Sequence, residues 1–365
     1  MKKILILPFL QMPSGHHQVA DAISAYLKEL DDSVKVKKVD IFHYTSRFVE
    51  QITSKFYLKA IKIIPSVYSY FYRHNACRSQ SYKADNRYFL YDRIFLNSMK
   101  KLIKQENPDF IICTHCLPSY LLNLLKKQEQ LSIPVINAYT DYFINNVWGI
   151  TQIDFHLVPS EAVKHFLELR GVSPKKIAVT GIPIHPLITK KTEKTYGKEA
   201  PLFHVLVSGG NLGVGPIEKM LDLTLFSGKI KYFVLCGKNQ QLFKKIEQLQ
   251  SPFLKSISYI SSREEMNELY ERMDIMLTKP GGITISECLH KGIPLCLLDP
   301  LPGPEERNQQ YLLDEKLAIK INLDELEYSL LLFLENEKER EKIQQRIFVQ
   351  VERLDNLSVV FKKFL

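Results

Sequence analysis

Short, unbroken apolar runs recur along this chain with helical stretches between them, and this alternation restricts its fold more than any other feature. The runs stand at residues 4–7, 34–39, 110–114, 135–139, 155–158 and 177–180, then at 204–207, 232–236, 257–260, 275–278, 295–298 and 318–321. A strand that is apolar throughout must be covered on both faces. That is the situation inside a parallel sheet, where every connection crosses a face as a helix. Helical periodicity supplies crossovers at 18–28, in a long region from about 47 to 104, and at 119–128, 162–168, 241–248, 264–272 and 284–290. The series begins twice, each time with a strand followed by a glycine-containing loop. The expected fold class is therefore α/β, with two Rossmann-like domains facing a cleft. A length of 365 residues suits two domains of ordinary size.

Periodicity lapses over residues 185–201, which hold His185-Pro186, a run of Lys and Thr, and Pro201. This stretch reads as a linker. It leaves residues 1–184 as the N-terminal domain and 202–345 as the C-terminal one. A last helix over 346–365 is expected to pack back on the first domain.

Composition and motifs exclude several classes. An apolar fraction of 45% and a charged fraction of 24% are those of a soluble globular protein. No apolar run is long enough to cross a bilayer, and Met1-Lys2-Lys3-Ile4-Leu5-Ile6-Leu7-Pro8 is too short an apolar run for a leader, so it reads as a first buried strand. There is no Walker A sequence, no G-x-G-x-x-G after a strand, no H-E-x-x-H and no G-x-S-x-G. No Asp-x-Asp occurs, so a sugar diphosphate held through a metal on that motif is not expected. The six cysteines are Cys77, Cys113, Cys116, Cys236, Cys288 and Cys296, mostly inside apolar runs. Cys113-Thr114-His115-Cys116 has redox or zinc spacing but no second pair, and thiols of a reducing cytoplasm are the expected reading.

Thr278-Lys279-Pro280-Gly281-Gly282-Ile283-Thr284-Ile285-Ser286-Glu287 reads as a strand, a glycine turn and a helix. A helix opening directly after two glycines points backbone N–H groups and a positive dipole end at whatever lies there, which suits a diphosphate. Glu287, one turn on, is placed to accept from two vicinal hydroxyls. A second reading stands level with this one: Thr284-x-x-Glu287 is also a capping box, which only finishes a helix.

Three further positions lie at strand ends, where open α/β sheets bind ligands. His16, in the loop Pro13-Ser14-Gly15-His16-His17, is a candidate general base. Asp141 follows the strand at 135–139 and suits a role in orienting that base or binding an acceptor; its plainer role is helix capping. Gly209 and Gly210 open the loop after 204–207 and suit phosphate or sugar.

The net charge of +9 is unevenly spread: residues 46–104 hold 12 Lys/Arg and 3 Asp/Glu, and the remainder is neutral. Aromatic residues such as Tyr68, Tyr70, Phe71 and Tyr72 interleave with these charges, and Ile61, Ile63 and Ile64 lie among them. Basic, aromatic and aliphatic side chains together suit an anionic membrane surface. No nucleic acid partner is expected, because nucleic acid offers little in which isoleucine can be buried.

Together these residues resemble glycosyltransferase family 28, in particular the plant-type monogalactosyldiacylglycerol synthases and the bacterial processive diacylglycerol glucosyltransferases. The resemblance runs over nearly the whole chain. It is carried by Gly15-His16 with Gln18-Val19-Ala20, Thr140-Asp141 with Trp148, Val179-Thr180-Gly181-Ile182-Pro183-Ile184, Cys236-Gly237-Lys238-Asn239, and the stretches 278–287 and 302–308. It implies the GT-B fold, with the donor on the C-terminal domain and the acceptor on the N-terminal one. It implies an inverting transfer of a hexose from a UDP-sugar to a lipid hydroxyl of the diacylglycerol type, at the cytoplasmic face of the membrane. It implies no metal and no cofactor, the UDP-sugar being a substrate. By resemblance Glu287 binds the ribose diol, while Gly281, Gly282, Ile283 and Thr284 bind the diphosphate. Backbone near Ile260 meets the uracil, Glu305 and Asn308 lie near the donor sugar, Lys279 aids the departing UDP, and His16 is the base. The chain departs from the family at Pro304, where relatives carry glutamine, at His185, where they carry arginine toward phosphate, and at Asn145 and Ile150, where histidines stand.

Two other functions stay open at the level of sequence. One is the same fold acting on a soluble acceptor, which would not need liposomes. The other is a non-catalytic UDP-sugar-binding protein, which would bind without turnover and be indifferent to His16→Ala.

Overall fold

The computed structural model describes residues 1–9, 14–45, 88–191, 202–210, 217, 220, 221, 227–301 and 303–365. The chain divides into two compact units, Met1–His185 with Leu354–Leu365, and Pro186–Arg353.

The first unit is built on β1 (Lys3–Leu7), β2 (Lys35–Lys38), β3 (Phe110–Cys113), β4 (Val135–Ala138), β5 (Phe155–Val158) and β6 (Ile177–Val179), all parallel, in the order β2-β1-β3-β4-β5-β6. β3, β4, β5 and β6 are buried along their whole length, as continuous apolar runs require. β2 is the edge strand, and its sequence Lys-Val-Lys-Lys leaves its lysines toward water, which blunts the edge. The crossover Gly15–Leu30 buries Val19, Ala20, Ala22, Ile23 and Leu27, one helical face, and exposes the opposite one.

The second unit repeats the plan with β7 (Phe203–Ser208), β8 (Ile230–Leu235), β9 (Leu254–Ile257), β10 (Ile275–Thr278), β11 (Leu295–Leu297) and β12 (Ala318–Lys320), again parallel, in the order β12-β11-β10-β7-β8-β9. The helices Gln240–Gln248, Arg263–Glu271, Gly282–Lys291 and Pro304–Asp314 connect successive strands of this sheet. In each unit the strand order reverses once: between β1 and β3, and between β7 and β10. At such a reversal successive crossovers pass to opposite faces, which opens a crevice at the carboxyl edge of a parallel sheet.

Two sequence expectations need correction, and a third lies partly outside the described residues. The strand expected at 257–260 lies at Leu254–Ile257, because β8 supplies its partners there, from Tyr232 to Leu235. The apolar run 257–260 is the chain leaving that strand. Of the long helical region at 47–104, residues 46–87 lie outside the described residues, and the described part is the helix Phe89–Glu106. The single helix expected over 346–365 is two, Glu337–Glu352 and Leu357–Phe361, because the Asn356 side chain accepts from the Val359 N–H and starts a new helix.

The second of these helices belongs to the first unit. Asp355 completes the edge of its sheet: its N–H donates to the Val179 carbonyl and its carboxylate accepts from the Val179 N–H, both at 2.7 Å. Gly181 permits the approach. Its φ is +73°, and a Cβ there would stand 2.9 Å from Leu354 Cδ1. Phe361 is fully buried, and Phe364 packs against the rings of Phe110 and Phe155.

Phe361→Ala is expected to lower the stability of the first unit by about 3–5 kcal/mol, the cost of emptying a buried aromatic site. Chemical denaturation followed by hydrogen exchange, resolved by unit, checks this; an unchanged midpoint for the first unit would show that the tail adds nothing to it.

Candidate active site

In the first unit the candidate residues meet at the β1/β3 reversal. β1 and β3 are paired through Leu7 and Cys113, so the loops leaving them run side by side. One loop leads into the helix Gly15–Leu30, with His16 as its second residue. The other carries Thr114 and His115 ahead of the helix Cys116–Lys127. Thr114 clasps His16 twice. Its hydroxyl donates to the His16 carbonyl at 3.0 Å, and its own carbonyl accepts from His16 Nδ1 at 2.8 Å. Thr140 Oγ1, just beyond β4, lies 3.1 Å from the same nitrogen. A carbonyl can only accept, so Nδ1 carries the proton and Nε2 keeps its lone pair. That is the tautomer a general base requires. Burial lowers the His16 pKa from 6.5 to about 4, the Thr114 bond opposing and His17 adding to the shift, so the ring is neutral at neutral pH.

His115 packs against His16 edge to face, with ring centroids 4.6 Å apart at 86°, and stacks on Phe9 at 4.0 Å. Its Nδ1 accepts from the Leu117 N–H at 3.2 Å and caps the helix. Burial above all, and then His16, hold its pKa well below the ordinary histidine range. Asp141 follows Thr140 in the chain and is half-buried. It acts on the Cys116 thiol, to which Asn145 also hydrogen-bonds; burial is the main cause that lifts this thiol to about 12. Burial likewise raises Cys113 well above the ordinary thiol range, and neither cysteine is in a disulfide. Among the described residues no group of three or more His, Cys, Asp and Glu is placed to hold a metal ion.

The stretch after β4 is fastened from below. Asn137 Nδ2 donates to the Gly149 carbonyl at 2.8 Å, and the Ser119 hydroxyl donates to the same oxygen at 3.4 Å. A Cβ on Gly149 would stand 2.4 Å from Asn123 Cβ and 2.6 Å from the Ser119 carbonyl oxygen, so only glycine fits between this loop and the helix. Beneath it, the buried His156 Nδ1 meets Tyr139 OH at 2.9 Å, and burial lowers the His156 pKa to about 3.

In the second unit the residues gather at the β7/β10 reversal, where Thr278 Oγ1 donates to the Ser208 carbonyl at 3.2 Å. The helix after β10 begins at Gly282, with Gly281 as its N-cap and no side chain capping it. Thr284 lies inside the helix, so the capping-box reading of Thr284-x-x-Glu287 is overturned. The N–H groups of Gly282, Ile283 and Thr284 have no acceptor within the helix. A Cβ on Gly281 would meet no protein atom within 4 Å. The fold itself does not demand that glycine, which leaves bare backbone facing open space.

Glu287 is 5% exposed. Tyr270 OH donates to its Oε2 at 2.8 Å, and Arg263 Nη1 lies 3.5 Å from Oε1. Burial raises its pKa, while Arg263 and then Tyr270 oppose the rise and favour the carboxylate. The flanking loops are tied to each other. Asn308, fully buried, donates through Nδ2 to the Pro280 carbonyl at 3.1 Å. Glu305 accepts from the Leu301 N–H at 2.7 Å through Oε2 and from Lys279 Nζ at 3.4 Å through Oε1. Pro304 is the first residue of the helix Pro304–Asp314, where its missing N–H costs nothing.

The remaining expected residues are Gly209, Gly210, Ile260 and His185. Gly209 and Gly210 close β7; Gly210 has φ +77° and donates to Ser208 Oγ at 3.1 Å, while residues 211–216 lie outside the described set. Ile260 is half-buried, just past the carboxyl end of β9. His185 is the last residue of the first unit before the chain passes to the second. Sequence reasoning missed His115, Arg263 and Tyr270 as members of the site. His115 carried a usable signal, since it follows a strand end just as His16 does, but the two flanking cysteines drew the reading toward thiol chemistry.

Three neutral histidines in one unit, His156 buried and His16 and His115 half-buried, make its stability pH-dependent. His16, His115 and His156 have folded pKa values below the ordinary 6.5, so below that pH the unfolded chain takes up protons that the folded unit refuses. Their contribution is fully present above about 6.5 and is lost as pH falls through about 4. The first unit is expected to lose on the order of a few kcal/mol across that window, read from urea midpoints at stepped pH. His156→Asn should flatten the slope; an unchanged slope would mean that His156 is not buried neutral.

Comparison with known proteins agrees with this architecture. Residues 16–184 match the model of monogalactosyldiacylglycerol (MGDG) synthase, and residues 205–350 match that of the glycosyltransferase family 28 C-terminal domain. The chain is 40% identical to the uncharacterised glycosyltransferase YkoN of Bacillus subtilis (strain 168), over 93% of this chain and 91% of that protein. It is 30% identical to the processive diacylglycerol beta-glucosyltransferase of Bacillus pumilus (strain SAFR-032), over 95% of this chain and 90% of that one. Among solved structures, MurG of Acinetobacter baumannii shares the fold with a TM-score of 0.62 at 14% identity, over 100% of both chains. The fold is thus GT-B, and the chain belongs to glycosyltransferase family 28, in the group that joins a monogalactosyldiacylglycerol synthase domain to the family 28 C-terminal domain.

Proposed function

We propose that the protein moves a hexose from a UDP-sugar to the hydroxyl of a diacylglycerol-type lipid, with inversion at the anomeric carbon and without a metal. The observation that carries this reading is the pair of opposed chemistries at the two sheet reversals. One holds a neutral imidazole with its Nε2 lone pair kept. The other holds an uncapped helix start beside a buried carboxylate. His16 Nε2 takes the proton from the acceptor hydroxyl, and that oxygen forms the new bond to the anomeric carbon. The bond from that carbon to UDP breaks, and its electron pair leaves on the β-phosphate oxygen. The N–H groups of Gly282, Ile283 and Thr284 stabilise that charge, aided by Lys279. Lys279 is already paired with Glu305, so its share is smaller than a lone cation's.

Glu287 accepts from the ribose diol, and backbone near Ile260 meets the uracil. Glu305 and Asn308 lie near the donor sugar, and they also hold the loops around Pro280 in shape through the Leu301 N–H and the Pro280 carbonyl. Gly209 and Gly210 border the phosphates, Asp141 orients the acceptor side, and His185 serves as a pH-dependent phosphate partner. The diacylglycerol acceptor is supported by the name of a relative that covers most of this chain.

Docking at the cytoplasmic face of an anionic membrane fits the helix Phe89–Glu106. Its outer face shows Phe89 at 74% and Ile94 at 47% exposure, together with exposed Arg93, Lys100, Lys101 and Lys104. No helix among the described residues is long and apolar enough to cross a membrane.

Incubation with a panel of UDP-sugars and diacylglycerol in liposomes, with mass analysis of products, is expected to yield a hexosyl lipid; a product formed only on a soluble acceptor would overturn the reading. Glu287→Ala is expected to weaken UDP binding by about 100-fold in calorimetry, the scale of two lost charge-assisted hydrogen bonds. Unchanged affinity would remove that residue from the donor site. Liposome binding is expected to require anionic lipid and to fade as salt rises; equal binding to neutral vesicles would count against the basic surface.

A further inference from the structure

His115 is an unusual residue for the place it holds. The described helices that are capped by an accepting side chain otherwise use serine or asparagine: Ser160, Asn239, Ser262, Asn336 and Asn356. These are the residues that N-caps prefer, and histidine is not among them. A small polar side chain would cap the helix Cys116–Lys127 as well or better, so capping alone does not account for an imidazole. What the imidazole adds is its ring. One contact is the stack on Phe9 at 4.0 Å, nearly coplanar at 7°, and the other is the edge-to-face contact with His16 at 4.6 Å. The capping bond to the Leu117 N–H fixes the plane of that ring, because Nδ1 must face the backbone donor.

Resting on the reading of His16 as the base, we propose that His115 is a positioning residue: a ring held by Phe9 and by the helix start, which keeps the His16 imidazole in the orientation and tautomer that leave Nε2 as its acceptor. Thr114 and Thr140 grip the His16 ring at one atom, Nδ1. If that grip breaks, the ring can turn about its Cα–Cβ and Cβ–Cγ bonds, and the His115 ring packed on it stands against such a turn. The ionisable groups around His16 are His17 on its own helix, His115 and Cys116 at the start of the next, and Asp141 beside Thr140. Of these, His115 is the group whose ring packs on the His16 ring.

His115→Asn keeps a good cap and removes the ring, while His115→Phe keeps a ring and removes the cap. Long-range ¹⁵N NMR of the imidazoles in the full-length protein reads the tautomer and titration of His16 without any turnover. In His115→Asn, His16 is expected to become a mixture of tautomers and its titration to climb from about 4 toward 6.5. In His115→Phe it is expected to keep the Nδ1–H form. Where turnover is measurable, His115→Asn should lower kcat by about tenfold or more, with UDP affinity unchanged. An unaltered His16 tautomer and titration in His115→Asn would overturn the proposal, as would a parallel loss of UDP affinity and unfolding midpoint. A wild-type protein inactive on every UDP-sugar would count against the proposed function, and the NMR result would still decide the role of His115.

Discussion

Parallel pairing of β1 with β3, and of β7 with β10, is the constraint on which the rest of each unit depends. A parallel strand cannot return by a tight turn, so each connection crosses a face and the chain leaves every strand at the same edge of the sheet. Where the order reverses, two successive crossovers take opposite faces. At such a reversal a crevice opens at that edge of the sheet. His16 and Thr114 are neighbours for this reason although 98 residues separate them in the chain. Thr278 and Ser208 are neighbours for the same reason, 70 residues apart.

Both reversals hold an ionisable group against the cost of burial, and they do so in opposite ways. At the first, desolvation is left to act and His16 stays neutral; the Thr114 carbonyl then decides which nitrogen carries the proton. At the second, desolvation raises the Glu287 pKa, and Arg263 and then Tyr270 oppose the rise. Burial acts on both groups, and what opposes it differs because their neighbours differ.

The strands and most crossover helices were legible in the sequence because a buried parallel strand admits only apolar side chains, and that requirement is written residue by residue. The displaced β9 shows the limit. Its apolar pattern is weak, with Lys255 and Ser256 in the middle, and its register comes from hydrogen bonds to β8 that no local pattern encodes. The site was legible at His16, Gly281, Gly282 and Glu287, which sit next to strand ends or glycines. His115, Arg263 and Tyr270 were not, since each matters through a partner far away in the chain. Asn308 and Glu305, expected near the donor sugar by resemblance, are also tied to the protein, Asn308 to the Pro280 carbonyl and Glu305 to the Leu301 N–H, which no local pattern announces.

By itself the sequence determined that this chain forms two α/β halves, and which short loops stand at the ends of their strands, because burial on both faces and glycine turns leave local marks. It also carried the family, through motifs spread over the chain. Only the tertiary structure decided that Thr284-x-x-Glu287 is not a capping box, which nitrogen of His16 keeps its lone pair, and that His115 stands beside it. Those outcomes depend on hydrogen bonds and ring contacts between segments remote in sequence, and such contacts exist only once the sheet order has brought the segments together.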